Sequence, residues 1–575
     1  MLCPPALACA FAGRNVHFCW IPDWIPPFPG ALASAASLRV ASDGPAGYAH
    51  NMSLRLVSAS ILWLLAAPTF SQTRQMTVSQ LQDKIRGGWA GQMIGVSFGA
   101  PTEFRSNGRI ITGRIPWNPT WVKESITQDD LYVEMTFAEV LDKYGLNATA
   151  EQFGEAFKST RYPLWHANAA ARRNLYAGIK APLSGHPKYN IHANDIDFQI
   201  EADFIGLMAP GLPRQVSELA SRIGSVMNYG DGIYGGIYVA AMYSAAYFES
   251  DPRKIVEAGL AALPPSSQYA RTIADVLRLH QQFPGDWKKS WQAIEEKWGK
   301  VESCPEGALR GFNIEASLNG AYIALGLLYG GGDFAKTLDI STRAGQDSDC
   351  NPSNAAGILG VVLGYSKIPP VWKDGIPAIA NTKFIYTNYT FEEISESTLK
   401  RAIALIEQSG GKREGQTLTL PQAPASKPVV LETWSMGEPV LQADASHPGW
   451  TWSGSWSESA SWDGESGDVK TRKTAIGSGN EAIIRFTGSA FSLEGEYFDR
   501  KGQPNGAVAE VYVDGKKAGA FQVVAPAATH ESSLFHLYGL SNQEHEVRIV
   551  TQEGRPGTPG ALVLKSLVGY RSSTR

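Results

Sequence analysis

The first long stretch with a regular hydrophobic pattern, residues 77–410, repeats its apolar positions every three to four residues. In its first segment Leu81, Ile85 and Trp89 stand at four-residue steps, which is the period of an amphipathic α-helix. Two later segments are rich in small apolar residues and too short to span a bilayer, so we interpret them as core helices. Because no convincing hairpin or β-α-β pattern interrupts the stretch, it is predicted to be one all-α domain.

Small residues indicate where two of these helices touch. Gly91, Gly95 and Gly99 repeat every four residues in the first helix, and a stripe without side chains lets another helix approach closely. The Ala-Pro pair that follows is expected to end this helix and to place Glu103 on a loop. A second small-residue segment, 354–364, is apolar nearly all round, so it is predicted to be a helix buried on every side.

Beyond the helical stretch the hydrophobic period changes to two residues, which is typical of β-strands. Asp514-Gly515 is a strong hairpin signal between two of these strands. Residues 429–575 are therefore predicted to form an all-β sandwich, which we interpret as galactose-binding-like and carbohydrate-binding. Residues 411–428 have the composition of a linker, from which few contacts are expected.

Four tryptophans, Trp450, Trp452, Trp456 and Trp462, precede or begin the strands of the sandwich. Exposed rings would stack on sugars, whereas buried rings would only fill the core. The core is slightly favoured for each single ring, and both alternatives stay open at this point.

The amino-terminal region differs from the rest of the chain. Residues 1–51 are proline-rich and show no sustained period. Arg55 follows Met52, and an apolar run from 56 to 67 is then followed by small residues, which is the pattern of a secretory signal peptide over residues 52–71. We expect that Met52 is the true start, that residues 1–51 are a mistranslated or disordered leader, and that the protein is secreted or periplasmic.

Composition excludes several classes of protein. Charged residues make up 18% and hydrophobic ones 43% of the 575 residues, as in globular proteins, and the net charge of -4 argues against nucleic-acid binding. We expect a monomer without stable membrane insertion. Only Cys304 and Cys350 follow the signal peptide, and the sequence leaves open whether they form a disulfide in an oxidising compartment.

Three acidic groups stand next to predicted helix ends: Glu103, the pair Asp129 and Asp130, and the pair Asp347 and Asp349. Such residues are often simple helix caps. If the fold brings them together, however, their charges repel unless a cation compensates them. Oxygen ligands favour Mg²⁺, Ca²⁺ or Mn²⁺. Zinc is disfavoured because no His/Cys group has the spacing of a zinc motif.

At these residues the chain resembles the ADP-ribosylglycohydrolase family, whose fold is also called crystallin J1-like. The family's first motif, a glycine-rich helix ending in Gly-x-Pro-x-Glu, matches residues 95–103. Its Thr-Asp-Asp-Thr motif matches residues 128–131, and its Gly-Gly-Asp-Thr-Asp-Thr motif matches residues 345–350. The resemblance covers about residues 77–410.

This resemblance implies two divalent cations, most simply Mg²⁺ with Ca²⁺ or Mn²⁺ as alternatives, that hold the hydroxyls of a ribose. By the same resemblance Asp129, Asp130, Asp347 and Asp349 are metal ligands, and Glu103 is the catalytic acid/base. Two such ions would lie roughly 3.5–4 Å apart.

The motifs also depart from the family pattern. Gln128 and Cys350 stand where the family has hydroxyl ligands, so they are predicted as metal ligands of altered chemistry. The Asn-, His- and Asp-rich region 162–213 is predicted to form loops and short helices around a pocket. His166 and Asn168 in that region, together with Asp231, are predicted to bind substrate.

The expected function is that of a metal-dependent hydrolase. It would cleave an N- or O-glycosidic bond at an anomeric carbon, in ADP-ribose conjugates or in another extracellular glycoside, so the expected partner is a small molecule or a glycan. The alternative is a non-catalytic, crystallin-like binding or structural protein. Such a protein has no need of Glu103 and the four aspartates, so their presence favours the enzyme.

Overall fold

The computed structural model describes residues 74–301, 303–421, 427–462, 469–498, 502–525 and 532–572. The predicted leader, 1–51, and the predicted signal peptide, 52–71, lie outside these residues. None of the helices in the described ranges combines the length and the apolar character that a bilayer crossing needs.

Residues 78–408 form a helical domain, as the hydrophobic period predicts. Its apolar side chains form one continuous core around the central helices. The helices are α1 Val78–Gly99, α2 Asp129–Tyr144, α3 Ala150–Ser159, α4 His166–Tyr176, α5 Asp197–Ile200, α6 Asp203–Leu207, α7 Pro213–Gly224, α8 Asp231–Ala246, α9 Pro252–Ala261, α10 Gln268–Gln282, α11 Trp287–Trp298, α12 Ala316–Gly330, α13 Phe334–Arg343, α14 Cys350–Leu363, α15 Pro370–Lys373, α16 Ile376–Ile379 and α17 Phe391–Gln408.

Helices α1 and α14 contact each other backbone to backbone. A Cβ added at Gly91 or Gly95 would overlap a backbone oxygen of α14, and one added at Gly99 would overlap the backbone of Ser348 just before α14. The glycine stripe is therefore the contact surface, which confirms its predicted role. The contact places the end of α1 beside the start of α14.

A small sheet closes the helical domain. Its strands are β1 Gln75–Thr77, β2 Lys412–Glu414 and β3 Thr417–Thr419, with β3 in the centre and both pairings antiparallel. The side chain of Leu418 joins the helical core. The first part of the predicted linker, 411–428, thus folds onto the helical domain.

The carboxyl-terminal region is an all-β sandwich, as predicted. Its strands are β4 Glu438–Asp444, β5 Thr451–Ser453, β6 Trp456–Trp462, β7 Val469–Ile476, β8 Glu481–Gly488, β9 Ala490–Gly495, β10 Val508–Val513, β11 Lys516–Gln522, β12 Ser533–Leu537, β13 Gln543–Gln552 and β14 Ala561–Arg571.

The strands form two sheets. One has the order β11-β10-β13-β8-β5, and the other has the order β12-β9-β14-β7-β6, with β4 also pairing β14. Buried and less buried residues alternate along β8 and β13, so the first sheet gives one face to the core.

The hairpin between β10 and β11 is formed as predicted. Asp514 and Gly515 both have positive φ, 51° and 76°, which the two central residues of a type I′ turn require.

The tryptophans divide between core and partial exposure. Trp450 is only 7% exposed, and its Nε1 donates to the carbonyl oxygen of Asp444 at 2.9 Å. Trp452 is half-buried and stacks on Trp450 with ring centroids 5.0 Å apart, and Trp456 lies edge-on to Trp452 at 4.8 Å. The side chain of Trp462 lies outside the described residues.

The sandwich packs on the helical domain through a buried apolar cluster. Tyr570 of β14 donates its hydroxyl hydrogen to the carbonyl oxygen of Ser303 at 3.0 Å. Linker composition carries no information about how later strands pack, so this docking was not expected. The cluster contains Ile191, Ala193, Ala308, Trp434, Met436, Ala490, Val568 and Tyr570.

Substitution Gly91→Ala tests the contact between α1 and α14. The new methyl group would overlap the carbonyl oxygen of Ala356, so we expect the free energy of unfolding to fall by about 1–3 kcal/mol or more. Chemical denaturation measures this change. The control is Gly285→Ala, where an added Cβ meets no atom of the described chain within 4 Å. Equal stability of the two variants would contradict the role of the stripe.

Candidate active site

A cavity of about 310 Å³ opens at the ends of α1, α2 and α14. Seven of the predicted site residues line it: Glu103, Gln128, Asp129, His166, Asn168, Asp347 and Cys350. Asp130 and Asp349 lie directly behind this wall, because Cys350 Sγ donates to Asp130 Oδ2 at 3.2 Å and the carboxyls of Asp347 and Asp349 share a hydrogen bond. The fold therefore brings the three acidic groups to one place.

Asp231 is the predicted site residue that the fold places elsewhere. It lines a separate cavity of about 300 Å³, together with Trp434. Its Oδ1 accepts a hydrogen bond from the backbone N–H of Tyr269 at 3.1 Å. Its role in substrate binding stays a prediction.

The position of Glu103 follows from the end of α1. A short 3₁₀ turn, Ala100–Thr102, follows the helix and delivers Glu103 to the edge of the cavity. Thr102 Oγ1 lies 2.8 Å from Ser348 Oγ, and the N–H of Phe104 donates to the carbonyl oxygen of Gln346 at 3.1 Å. These bonds hold the loop with Glu103 against the turn that carries Asp347 and Asp349.

Asp347 Oδ1 accepts from the N–H of Cys350 at 3.4 Å, but helix capping does not explain Asp349. Asp349 occupies the cap position, yet its side chain makes no capping hydrogen bond within the described chain. One carboxylate oxygen of Asp349 and one of Asp130 are buried and accept no hydrogen bond from any described residue. Such an oxygen is costly to bury unless a cation or a proton compensates it. The two orphaned oxygens therefore fit a divalent cation.

The donor atoms also suit a hard cation. One atom each from Asp347, Asp349 and Cys350 lie within 4.8 Å of one another. Carboxylate oxygens dominate the group, and Mg²⁺, Ca²⁺ and Mn²⁺ prefer oxygen. A thiol is a weak ligand for these ions, so Cys350 lies next to the carboxylate ligands but adds little to the affinity for the cation.

Burial and mutual repulsion raise the pKa values of these carboxyls. Burial, followed by the charge of Glu103, raises the pKa of Asp347 to about 8. The charge of Asp349 contributes most to the pKa of Glu103, about 9, followed by burial and by Asp129. Burial and neighbouring aspartates likewise raise the pKa values of Asp130 and Asp349. Without a cation the site must hold protons at neutral pH.

A second layer of buried acids lies behind the first. Glu134 Oε2 accepts from the N–H of Phe204 at 3.0 Å, and Asp203 accepts from the hydroxyl of Tyr243 at 3.0 Å. Burial raises the pKa values of Glu134 and Asp203 well above their ordinary range. Sequence reasoning missed this layer, although Glu134 lies one turn after Asp130 on an otherwise apolar face of α2.

The first turn of α4 forms another wall. Asp197 accepts hydrogen bonds from the N–H groups of Ala167 and Asn168, at 3.2 and 2.9 Å, and so holds the start of the helix. The Asn168 side chain donates to Glu201. His166 has a φ of +42°, which is uncommon for a residue with a Cβ and marks a constrained position.

Aromatic rings frame the mouth of the cavity. Tyr132 and Tyr386 lie edge to face with centroids 5.4 Å apart, and Tyr386 is 59% exposed. Phe104 and Trp165 complete the aromatic lining. Phe104 and Tyr386 lie on irregular loops with positive φ, so no periodic pattern could have identified them.

Cys304 and Cys350 are free thiols, and both are buried. The disulfide that the sequence left open does not form in this structure. Cys350 contacts Asp130, whereas Cys304 belongs to a separate group with two histidines.

The profile that defines the ADP-ribosylglycohydrolase family matches residues 77–409. Because this match spans more than half of the chain, the protein belongs to the ADP-ribosylglycohydrolase family, a metal-dependent class with glycohydrolase-type function.

Three solved structures are similar to parts of the chain. One is described as an ADP-ribosylglycohydrolase-related protein complex, with 15% identity over 56% of this chain and 98% of that one and a TM-score of 0.37. A family two carbohydrate esterase from Cellvibrio japonicus has 17% identity over 22% and 33%, with a TM-score of 0.16. A two-domain esterase active on acetylated mannans, co-crystallized with mannopentaose, has 16% identity over 32% and 46%, with a TM-score of 0.20. No curated protein matches the chain significantly.

Cation binding should stabilise the fold through Asp347 and Asp349. Mg²⁺ at about one hundred times its Kd should add roughly 2.7 kcal/mol to the free energy of unfolding. The double variant Asp347→Asn, Asp349→Asn should lose this gain, which thermal unfolding with and without Mg²⁺ measures. The exposed Asp374→Asn serves as control. A double variant that responds to Mg²⁺ as the wild type does would contradict the assignment.

The metal-free protein should lose stability as the pH rises. The folded pKa of Asp347 is raised to about 8, against about 3.9 in the unfolded chain. A group with a raised folded pKa contributes its full stability below the unfolded pKa and loses it as the pH passes the folded value. In chelator, the wild type should therefore lose stability relative to Asp347→Asn between pH 5 and pH 8. Parallel stability profiles for the two proteins would refute this.

Proposed function

We propose that the protein is a metal-dependent hydrolase of a glycosidic bond at an anomeric carbon. The observation that carries this proposal is the group of buried carboxylates at one cavity, two of which have an oxygen without a hydrogen-bond partner in the described chain. Family membership supports the same reaction type. A merely structural protein would gain nothing from burying repelling charges at a cavity.

Four aspartates would hold the cations, namely Asp129, Asp130, Asp347 and Asp349, with the Gln128 oxygen as a further donor beside them. We propose two divalent ions, with Mg²⁺ as the first candidate. The cations would supply charge that orients the hydroxyls of a sugar and acidifies a water molecule.

Glu103 is proposed to move the proton. It lies at the solvent-facing edge of the cavity, on a loop that is held against the Asp347 turn. Its carboxyl holds a proton when the neighbouring Asp349 is charged, because that charge raises its pKa. A cation on Asp349 would reduce this effect and bring the pKa of Glu103 nearer to the working pH, as general acid/base catalysis requires.

The cavity walls suggest how a substrate would be held. Tyr132, Trp165 and Tyr386 offer ring faces on which a sugar or a nucleobase could stack. Asn168 adds a polar amide to the cavity lining, and an amide can hydrogen-bond the hydroxyl groups of a sugar. The proposed substrates are ADP-ribose conjugates or another glycoside, and export through the predicted signal peptide would place the reaction outside the cytoplasm.

Substitution Glu103→Gln tests the assignment. The amide keeps the size of the side chain but cannot exchange the proton, so kcat should fall by roughly 10²–10⁴-fold. KM and the stabilisation by Mg²⁺ should barely change, because the aspartates remain. Hydrolysis is measured on ADP-ribosyl compounds and on plain glycosides, with and without chelator.

The control for this experiment is Glu407→Gln, on the exposed face of α17. Loss of the Mg²⁺ response in Glu103→Gln would make Glu103 a metal ligand, and an unchanged kcat would remove it from the mechanism. If the wild type hydrolyses none of these substrates, the crystallin-like alternative is favoured.

A further inference from the structure

Four side chains with metal-ligating atoms converge at the start of α4, and His166 alone of the four also lines the cavity of the candidate active site. They are His166, His192, Cys304 and Glu306, which we name the His-Cys-Glu cluster. One donor atom of each lies within 4.8 Å of the others. Cys304 Sγ lies 3.7 Å from His166 Nδ1 and 2.9 Å from Glu306 Oε2.

We propose that the His-Cys-Glu cluster is a structural zinc site. Imidazole nitrogen and thiolate sulfur are ligands that zinc prefers and that Mg²⁺ does not. Zinc bonds of about 2.0–2.3 Å in a tetrahedron hold the donor atoms roughly 3.3–3.8 Å apart. The distance of 3.7 Å from Cys304 to His166 agrees with this spacing. The distance of 2.9 Å from Cys304 to Glu306 is that of a thiol hydrogen bond, which zinc would replace by a longer separation as the thiol loses its proton. Four protein ligands fill the tetrahedron, which is typical of structural rather than catalytic zinc.

The surroundings orient the ligands as they do in known metal sites. Asp195 Oδ2 lies 2.7 Å from His192 Nδ1. Because Nδ1 carries the proton that Asp195 accepts, the lone pair of this imidazole is on Nε2. Glu306 Oε1 accepts from Ser532 Oγ at 2.9 Å. A carboxylate behind a histidine and a hydroxyl behind a glutamate are common supports for metal ligands.

The charge balance of this region also favours a cation. Glu306 and Glu494 are both held by the hydroxyl of Ser532, and Glu494 is only 5% exposed. A hydroxyl has one hydrogen and cannot donate to two carboxylates at once. A divalent cation at Glu306 would compensate the negative charge that this pair buries.

Catalysis by Cys304 is a poorer explanation of the cluster. Its side chain is fully buried and does not line the cavity of the candidate active site. A zinc ion here would instead join the first residue of α4 to the Cys304–Glu306 turn. Through Ser532 it would also brace the sandwich against the helical domain.

The first experiment measures zinc in the full-length, tag-free protein. After dialysis against excess Mg²⁺, elemental analysis should find about one zinc per chain. Removing it with a strong chelator should lower the unfolding temperature, and zinc but not Mg²⁺ should restore it. A wild type that holds no zinc and takes up none when zinc is added overturns the proposal, whatever the variants do.

The second experiment identifies the ligands with Co²⁺ in place of zinc, while Mg²⁺ occupies the carboxylate site. Thiolate coordination should give a charge-transfer band in the near ultraviolet. The band should persist in Cys350→Ser and disappear in Cys304→Ser. A band that survives Cys304→Ser, or that is lost in Cys350→Ser, would place the metal elsewhere.

A third variant guards against misfolding of Cys304→Ser. Glu306→Gln keeps the thiolate but removes a charged ligand, so zinc affinity should fall by at least about tenfold, as loss of a supporting group alone costs ~10–100-fold. The charge-transfer band should remain when Co²⁺ is in excess. Unchanged zinc affinity in Glu306→Gln would contradict the proposed ligand set.

Discussion

The backbone contact between α1 and α14 is the constraint on which the site depends. Glycines of α1 lie directly against backbone atoms of α14, so the two helix axes are held close together. The loop that leaves α1 and the turn that enters α14 must then meet, and the pair Thr102 and Ser348 joins them. The carboxyls of Glu103, Asp347 and Asp349 are neighbours because of this contact.

Bringing these carboxylates together costs free energy, because like charges repel and burial removes their hydration. Burial and like charge raise the pKa values of Glu103, Asp130, Asp347 and Asp349, and burial raises that of Asp129. A second layer with Glu134 and Asp203, whose pKa values burial also raises, adds to the negative field of the site. Carboxylates buried in this way need compensation, either by protons or by cations bound from solution.

Regular elements were predictable from the sequence, and irregular ones were not. The helical period, the glycine stripe and the hairpin at Asp514 follow from local sequence, because each depends on neighbours a few residues apart. Helix capping does not explain Asp349, because its side chain makes no capping hydrogen bond within the described chain. The sequence could not show this, since it does not give the direction of the carboxylate. Cys304 and His166 are 138 residues apart, so no spacing rule could reveal their contact.

The packing of the sandwich on the helical domain fixes its position relative to the cavity. A domain on a loose tether samples many positions, and anything it holds can meet a reactive centre in many orientations. Here Trp434, Val568 and Tyr570 pack into a shared apolar cluster with loop residues of the helical domain. A glycan bound by the sandwich, as the sequence predicts, would consequently be held at one distance and one angle from the cavity, and its length would then determine which of its bonds reaches the carboxylates.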